Sequence, residues 1–497
     1  MAARSTLATS DLRHRATRWL ATPVSTGWCA VSWVVATALF VGIVALFGGP
    51  SQVDIHETDY GTWAVSHGQL ACAFHPSDIA GSTPPAAPLY PLVSGGVAAL
   101  AHVAHGGGFP SVTALGPGCA AGSGAMDHWA FRTGGLSPTA WLGILGWLAL
   151  MVGVIAWLRA SGWGRCGWEP ATVLALAVLP PVWLCVQSTF HPQDLLAMGL
   201  ALAALAASIR GRWISAGILV GLAVLSQQFA LLVAVPLLVL APPRRRAPYA
   251  LGALATTMLV IAPLTILSGR DALRATTFGS AYHPSSDGAG TILWELHLST
   301  GSAAAVIARG APLVLSLIAS LCFSRRLGAR APTAVAMTAL VTFSLGLRLL
   351  FEVSLFGYYF MAFTVGVVLV SIAQRRVDRV FVAWVLAVSL VTMTPQFGLE
   401  DEVRTLISLA VIAGTLLLAL FAARHRESGV ALLWLAIAGC AVLTRPGTNL
   451  FTEAHLSNWF WQLILLIPGF CIAARPLLAE LRANQRSGSS HTSLALV

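Results

Sequence analysis

Lysine is absent from this chain: every one of its 29 basic residues is arginine, and charged residues of both signs make up only 10%. With 57% hydrophobic residues over 497 positions and a mean hydropathy of +0.77, too little polar surface exists to cover a water-soluble globule. The composition is that of a polytopic membrane protein. The net charge of +10 does not mark a nucleic-acid binder, because most of the arginines sit in short loops between apolar runs. Also missing are a Walker A loop, a G-x-G-x-x-G after a strand, H-E-x-x-H and G-x-S-x-G. Nucleotide-driven transport and soluble-type nucleotide-sugar chemistry therefore lack support. None of the eight cysteines has C-x-x-C or metal spacing, and neither metal nor cofactor is expected. Cys72 and Cys119 share one long loop, where a disulfide and two inert thiols both fit. No A-x-A-like cleavage site follows the first apolar run, which reads as a retained first span.

What the chain does have is apolar runs, about fourteen of them from residues 28–49 to 459–474, set against the roughly 20 helical residues that a bilayer core requires. They predict an all-α fold, a polytopic transmembrane helical bundle of about 11–14 spans. Arginine clusters orient it: Arg13, Arg15 and Arg18, then Arg159 and Arg165, Arg210 and Arg212, Arg244 to Arg246, Arg325 and Arg326, Arg375 and Arg376, Arg424 and Arg426, Arg482 and Arg486. Held inside, they place both termini in the cytoplasm. Residues 1–27 then form a cytoplasmic N-terminal segment, 28–474 the membrane domain and 475–497 a cytoplasmic, disordered tail. Residues 50–137 become the first extracytoplasmic loop, with juxtamembrane helices. Within it, Pro88 to Gly107 is expected to lie along the interface or re-enter. Most acids and histidines fall outside by the same assignment. Acids contribute little to orientation, so their bias is a separate sign of a functional outer face.

Four stretches carry candidate chemistry. "SQVDIHETDYGTW" gathers Asp54, His56, Glu57, Asp59, Tyr60 and Trp63 just past the first span, where partial desolvation would raise a carboxylate pKa toward that of a useful base. In "STFHPQDLL", Pro192 opens a helix with His191 before it and Asp194 in its first turn, a position the helix dipole favours for an acid. Gln227 and Gln228 interrupt two short apolar runs, and paired broken spans commonly build a cavity at membrane depth. "LRLLFEVSLFGYYF" sets Arg348 and Glu352 on one helix face at an outer helix end, followed by Tyr358 and Tyr359. Arginine's planar fork suits phosphate, and Arg309, Arg404 and Arg445 are weaker candidates for that role.

The architecture resembles the GT-C superfamily of integral-membrane glycosyltransferases. The residues that match are Asp54 or Asp59 with Tyr60 and Trp63, the proline-rich "TPPAAPLYPL" of the first loop, and "FGYYF" late in the chain. It is similar in particular to actinobacterial polyprenyl-phosphate-sugar-dependent mannosyl- and arabinosyltransferases. It departs from them in lacking a large C-terminal soluble domain and in carrying Gln227 where lysine would be expected. The resemblance implies an inverting transfer from a polyprenyl-phosphate-linked sugar donor to a lipid or cell-envelope glycan acceptor. Asp54 or Asp59 would be the general base and arginines would hold the departing phosphate. The implied partners are donor, acceptor and membrane lipids, with no nucleic acid. The competing class is a transporter or flippase of a lipid-linked or small polar substrate, which would show inverted repeats and mid-span charges. A non-catalytic scaffold is the third reading, one that would tolerate loss of Asp54, Glu57 and Asp59.

Overall fold

A computed structural model describes residues 22–47, 49–50, 55–70, 73–74, 87–104, 141–187, 190–269, 291–296, 301–328, 330–352, 355–374, 378–393 and 458–493. Asp54, Cys72, Cys119, Arg404 and Arg445 lie outside them, as do the apolar runs 404–423 and 428–443. Among the described residues the fold is all helix, with one isolated bridge between Pro23 and Cys166.

The first helix, α1 (Thr26–Leu46), begins where the Ser25 hydroxyl accepts from the Trp28 N–H at 3.2 Å. Next come α2 (Ile55–Ser66) and α3 (Leu89–Ala104), which pack on each other through a buried Thr62–Ser94 hydroxyl pair at 2.7 Å. The central group is α4 (Ile144–Ala160), α5 (Trp168–Val178), α6 (Pro180–Gln187), α7 (Pro192–Ile209), α8 (Trp213–Ser226), α9 (Leu231–Leu240) and α10 (Pro243–Ser268). A short α11 (Ile292–Glu295) precedes α12 (Gly301–Leu327), α13 (Ala334–Leu350), α14 (Met361–Ala373), α15 (Arg379–Met393) and α16 (Asn458–Ser493).

Among the described residues four helices are long and apolar enough to cross a membrane: α1, α7, α10 and the Val306–Leu327 part of α12. A fifth span forms if α5 and α6, bent by 49°, count as one. Pro180 and Pro181 lack the N–H groups that would continue α5, which explains the break. The protein is an all-α membrane protein in which shorter apolar helices of 10–17 residues pack among the full-length ones.

Hydrocarbon is as apolar as leucine, so helices in lipid associate through close packing, not through release of water. The glycines show where. A Cβ on Gly153 would stand 2.1 Å from the Gly199 carbonyl oxygen, and one on Gly146 2.4 Å from that of Pro192, so α4 and α7 run parallel in backbone contact. Likewise α8 and α10 run parallel, with Gly217 and Gly221 against the Tyr249 and Ala253 carbonyls. Trp147, Trp157 and Trp183 are fully buried in the core that results.

The arginine-bearing helix ends gather at one end of the bundle. Val24 N–H donates to the Arg165 carbonyl at 2.9 Å, and Arg159 pairs with fully buried Glu169 at 3.0 Å. Trp157 Nε1 donates to the Thr338 hydroxyl at 2.9 Å, joining this corner to the start of α13. There Glu480 accepts from the Thr333 N–H at 2.9 Å, Asn484 donates to the Arg326 carbonyl at 3.0 Å, and Arg475 pairs with Asp378 at 3.0 Å. Glu480 and Asn484 belong to the segment 475–497 expected to be a disordered tail. The structure corrects this: α16 runs to Ser493, because these two polar residues lock onto α12 and α13.

Candidate functional site

The opposite end of the bundle holds the polar cluster. Phe190 occupies left-handed backbone, φ +47°, a strained conformation for a bulky residue, and turns the chain into α7. His191 N–H donates to the Cys185 carbonyl at 2.5 Å, which fixes the imidazole beside the helix start, and Pro192 opens α7. Asp194 lies in the first turn as expected, 2% exposed. Its Oδ1 accepts from Gln227 Nε2 at 2.6 Å. Gln227 can reach because its own backbone is extended, φ −161° and ψ 137°, ending α8 before a 3-10 turn, Gln228–Ala230, that leads into α9.

Arg348, two residues before the end of α13, pairs through Nε with Glu352 Oε1 at 2.6 Å. One expectation needs correction here. Glu352 is four residues on but not on the same helix, because α13 ends at Leu350; the pair closes over the helix terminus. The guanidinium also lies 5.3 Å from the Phe229 ring centroid and 4.8 Å from that of Tyr359. Tyr359 meets Tyr358 edge-on at 4.6 Å, and Tyr358 stacks on His191 at 4.4 Å and 11°. Side-chain contacts, joined by the chain itself between Phe229 and Gln228 and between Asp194 and Gln193, close into a ring that runs from His191 through Tyr358, Tyr359, Arg348 and Phe229 to Gln228 and Gln227, then to Asp194 and, through Gln193 Nε2 at 2.9 Å, back to His191. Arg348 feels both Glu352 and Asp194. Eight of the sequence-predicted residues (His191, Asp194, Gln227, Gln228, Arg348, Glu352, Tyr358 and Tyr359) thus belong to one constellation drawn from four stretches of the chain.

Beside the ring opens a cleft of about 30 Å³. Gln228, Arg309, Arg348 and Glu352 form its polar part, and Leu231, Leu232, Ala308, Pro312 and Leu313 its apolar part. Arg309 has no ion partner among the described residues. Among the described lining residues Arg309 and Arg348 stand against Glu352, with Asp194 close enough to act on Arg348.

The first-loop candidates sit nearby but are only partly visible. His56, Glu57, Asp59 and Tyr60 are on α2, with side chains outside the described set. Trp63 is described and buried, packing with Phe74 and Leu264. On α3, Leu89 and Tyr90 pack against Leu196 and Leu225, the residues two positions beyond Asp194 and two before Gln227. Gln187 Nε2 donates to the Phe47 carbonyl at 2.8 Å, which ties the end of α1 to the end of α6, just before His191. The first-loop helices and the ring therefore share one end of the bundle.

Sequence reasoning missed Phe229, Gln187 and Gln193. The two glutamines had a signal: each is an amide at the edge of an apolar run, and each buries an amide oxygen with no hydrogen-bond partner among the described residues. Phe229 had none, since one phenylalanine among apolar neighbours is unremarked by pattern. Among the described residues no group of three or more histidine, cysteine or acidic side chains could hold a metal. No protein-family model, curated protein or solved structure matches the chain.

Proposed function

We propose that this protein is a membrane glycosyltransferase that moves a sugar from a polyprenyl-phosphate donor to a lipid or cell-envelope glycan acceptor at the outer membrane face, with both termini cytoplasmic. The observation that carries the reading is the two-sided cleft. Its arginines and Gln228 suit a phosphate and sugar, while its leucines and Pro312 suit the first isoprene units of a tail that stays in lipid. About 30 Å³ admits only a water-sized group, so donor entry requires Arg309 or the flanking part of α12 to swing aside.

In this reading the acceptor hydroxyl gives its proton to Asp54 or Asp59, and its oxygen attacks the anomeric carbon. The bond from that carbon to the phosphate oxygen breaks, and the phosphate leaves with the electron pair, held by Arg348 and Arg309. His191, Tyr358 and Tyr359 offer stacking faces and hydrogen bonds to the sugar. The phosphate is already a good leaving group, so the scheme asks for no metal or cofactor.

The test is transfer of labelled sugar from a polyprenyl-phosphate donor in reconstituted membranes, comparing the native chain with Asp54→Asn and Asp59→Asn. Loss of transfer in one of them supports the reading, and full transfer in both removes the carboxylate base. Movement of labelled donor across the bilayer with no transfer would favour the flippase class instead.

A further inference from the structure

Gln462 sits one turn into α16 and is fully buried in a stretch, "NWFWQLILLIPGF", that otherwise reads as plain hydrocarbon. Its side chain makes three hydrogen bonds in one place. The amide nitrogen donates to the Leu349 carbonyl at 2.5 Å and to that of Leu350 at 3.3 Å, and the amide oxygen accepts from the Ile292 N–H at 3.0 Å. A helix leaves its last carbonyls and first N–H groups without internal partners. Leu349 and Leu350 are the last two residues of α13, directly after Arg348, and Ile292 is the first of α11. One amide thus caps the end of one helix and the start of another.

Both helices adjoin the cleft lining. Arg348 is carried by the end of α13. The short α11 packs Leu293 with Ala308 and Phe351, and Ala308 is the neighbour of Arg309 in the cleft wall. We infer that Gln462 is a positioning residue that sets the separation of Arg348 and Arg309, and so the fit of the anionic group of the donor. The identity of that anion rests on the transferase reading; the positioning does not.

The experiment compares the full-length native protein with Gln462→Met, which keeps length but no hydrogen bonds, and Gln462→Glu, which keeps only the acceptor for Ile292. In Gln462→Met, amide exchange of the 291–296 peptide is expected to speed up at least about 10-fold as its buried hydrogen bond is lost. Donor KM is expected to rise about 10-fold with kcat within about two-fold in both variants, the pattern of lost binding without lost chemistry. A KM unchanged in both, against a rise in Arg348→Gln, overturns the inference, as does unchanged exchange in Gln462→Met. Should the native chain transfer no sugar, the transferase reading fails by itself. Phenylglyoxal modification, followed peptide by peptide, then decides this inference: faster labelling of Arg348 in Gln462→Met supports it, and an unchanged rate overturns it.

Discussion

Replacing Arg348 by methionine isolates the most exposed energetic assumption about the site. The side chains of Arg348 and Glu352 are 14% and 10% exposed, so the charges meet at 2.6 Å with little water between them and the hydrocarbon-depth core. Removing one member of such a pair strands the other and costs about 3–5 kcal/mol, whereas removing both charges together costs far less. Arg348→Met is therefore expected to destabilise by that amount, and Glu352→Gln by about 1–2 kcal/mol, because glutamine still offers an oxygen to the guanidinium. The double variant is expected to be about 2–3 kcal/mol less destabilised than Arg348→Met alone. Arg348's contacts with Phe229 and Tyr359 are lost in Arg348→Met and in the double variant alike, so they cancel from that comparison. Unfolding of detergent-solubilised helical proteins is commonly irreversible, so the assay is the rank order of thermal midpoints at one scan rate, or steric trapping. If Arg348→Met and the double variant fall equally, burial of Glu352's charge is not what the pair controls, and the account of this corner is wrong.

Four further substitutions have expected outcomes. Arg309→Gln, which removes a cation with no ion partner among the described residues, is expected to change stability by no more than about 0.5 kcal/mol. It should nevertheless weaken polyprenyl-phosphate binding roughly 10-fold, measured by calorimetry in nanodiscs. Gln227→Leu takes the 2.6 Å donor from buried Asp194 and should lower stability by about 1–3 kcal/mol, checked by thermal midpoint. Gly153→Ala places a methyl group 2.1 Å from a backbone oxygen and is expected to cost about 1–3 kcal/mol or more, seen as lost monodisperse yield. Gly27→Ala, with nothing within 4 Å, should be neutral or slightly stabilising.

How much of this was legible beforehand depended on the range of the interaction. Pro192 and Asp194 at a helix start, the break at Gln227 and the pairing of Arg348 with Glu352 are local matters of helix termini and spacing, and all three were readable. Even so, helical spacing put Glu352 on α13, because periodicity says nothing about where a helix stops. The stacking of Tyr358 on His191 and the hydrogen bond from Gln227 to Asp194 join segments more than thirty residues apart, and no single-chain pattern encodes such meetings. Trp63, grouped with the first-loop acids, packs with Phe74 and Leu264, and an aromatic beside acids has the same signature whichever way it faces. The tail was misread for a related reason. Polar composition signals disorder only when nothing waits to receive it, and Glu480 and Asn484 have receivers on α12 and α13.

The brevity of α9 has a mechanical consequence. Residues Gln228–Leu240 form about 20 Å of helix where the acyl interior measures about 30 Å. Most of α9 is buried against its neighbours, so protein and not lipid must make up the missing length.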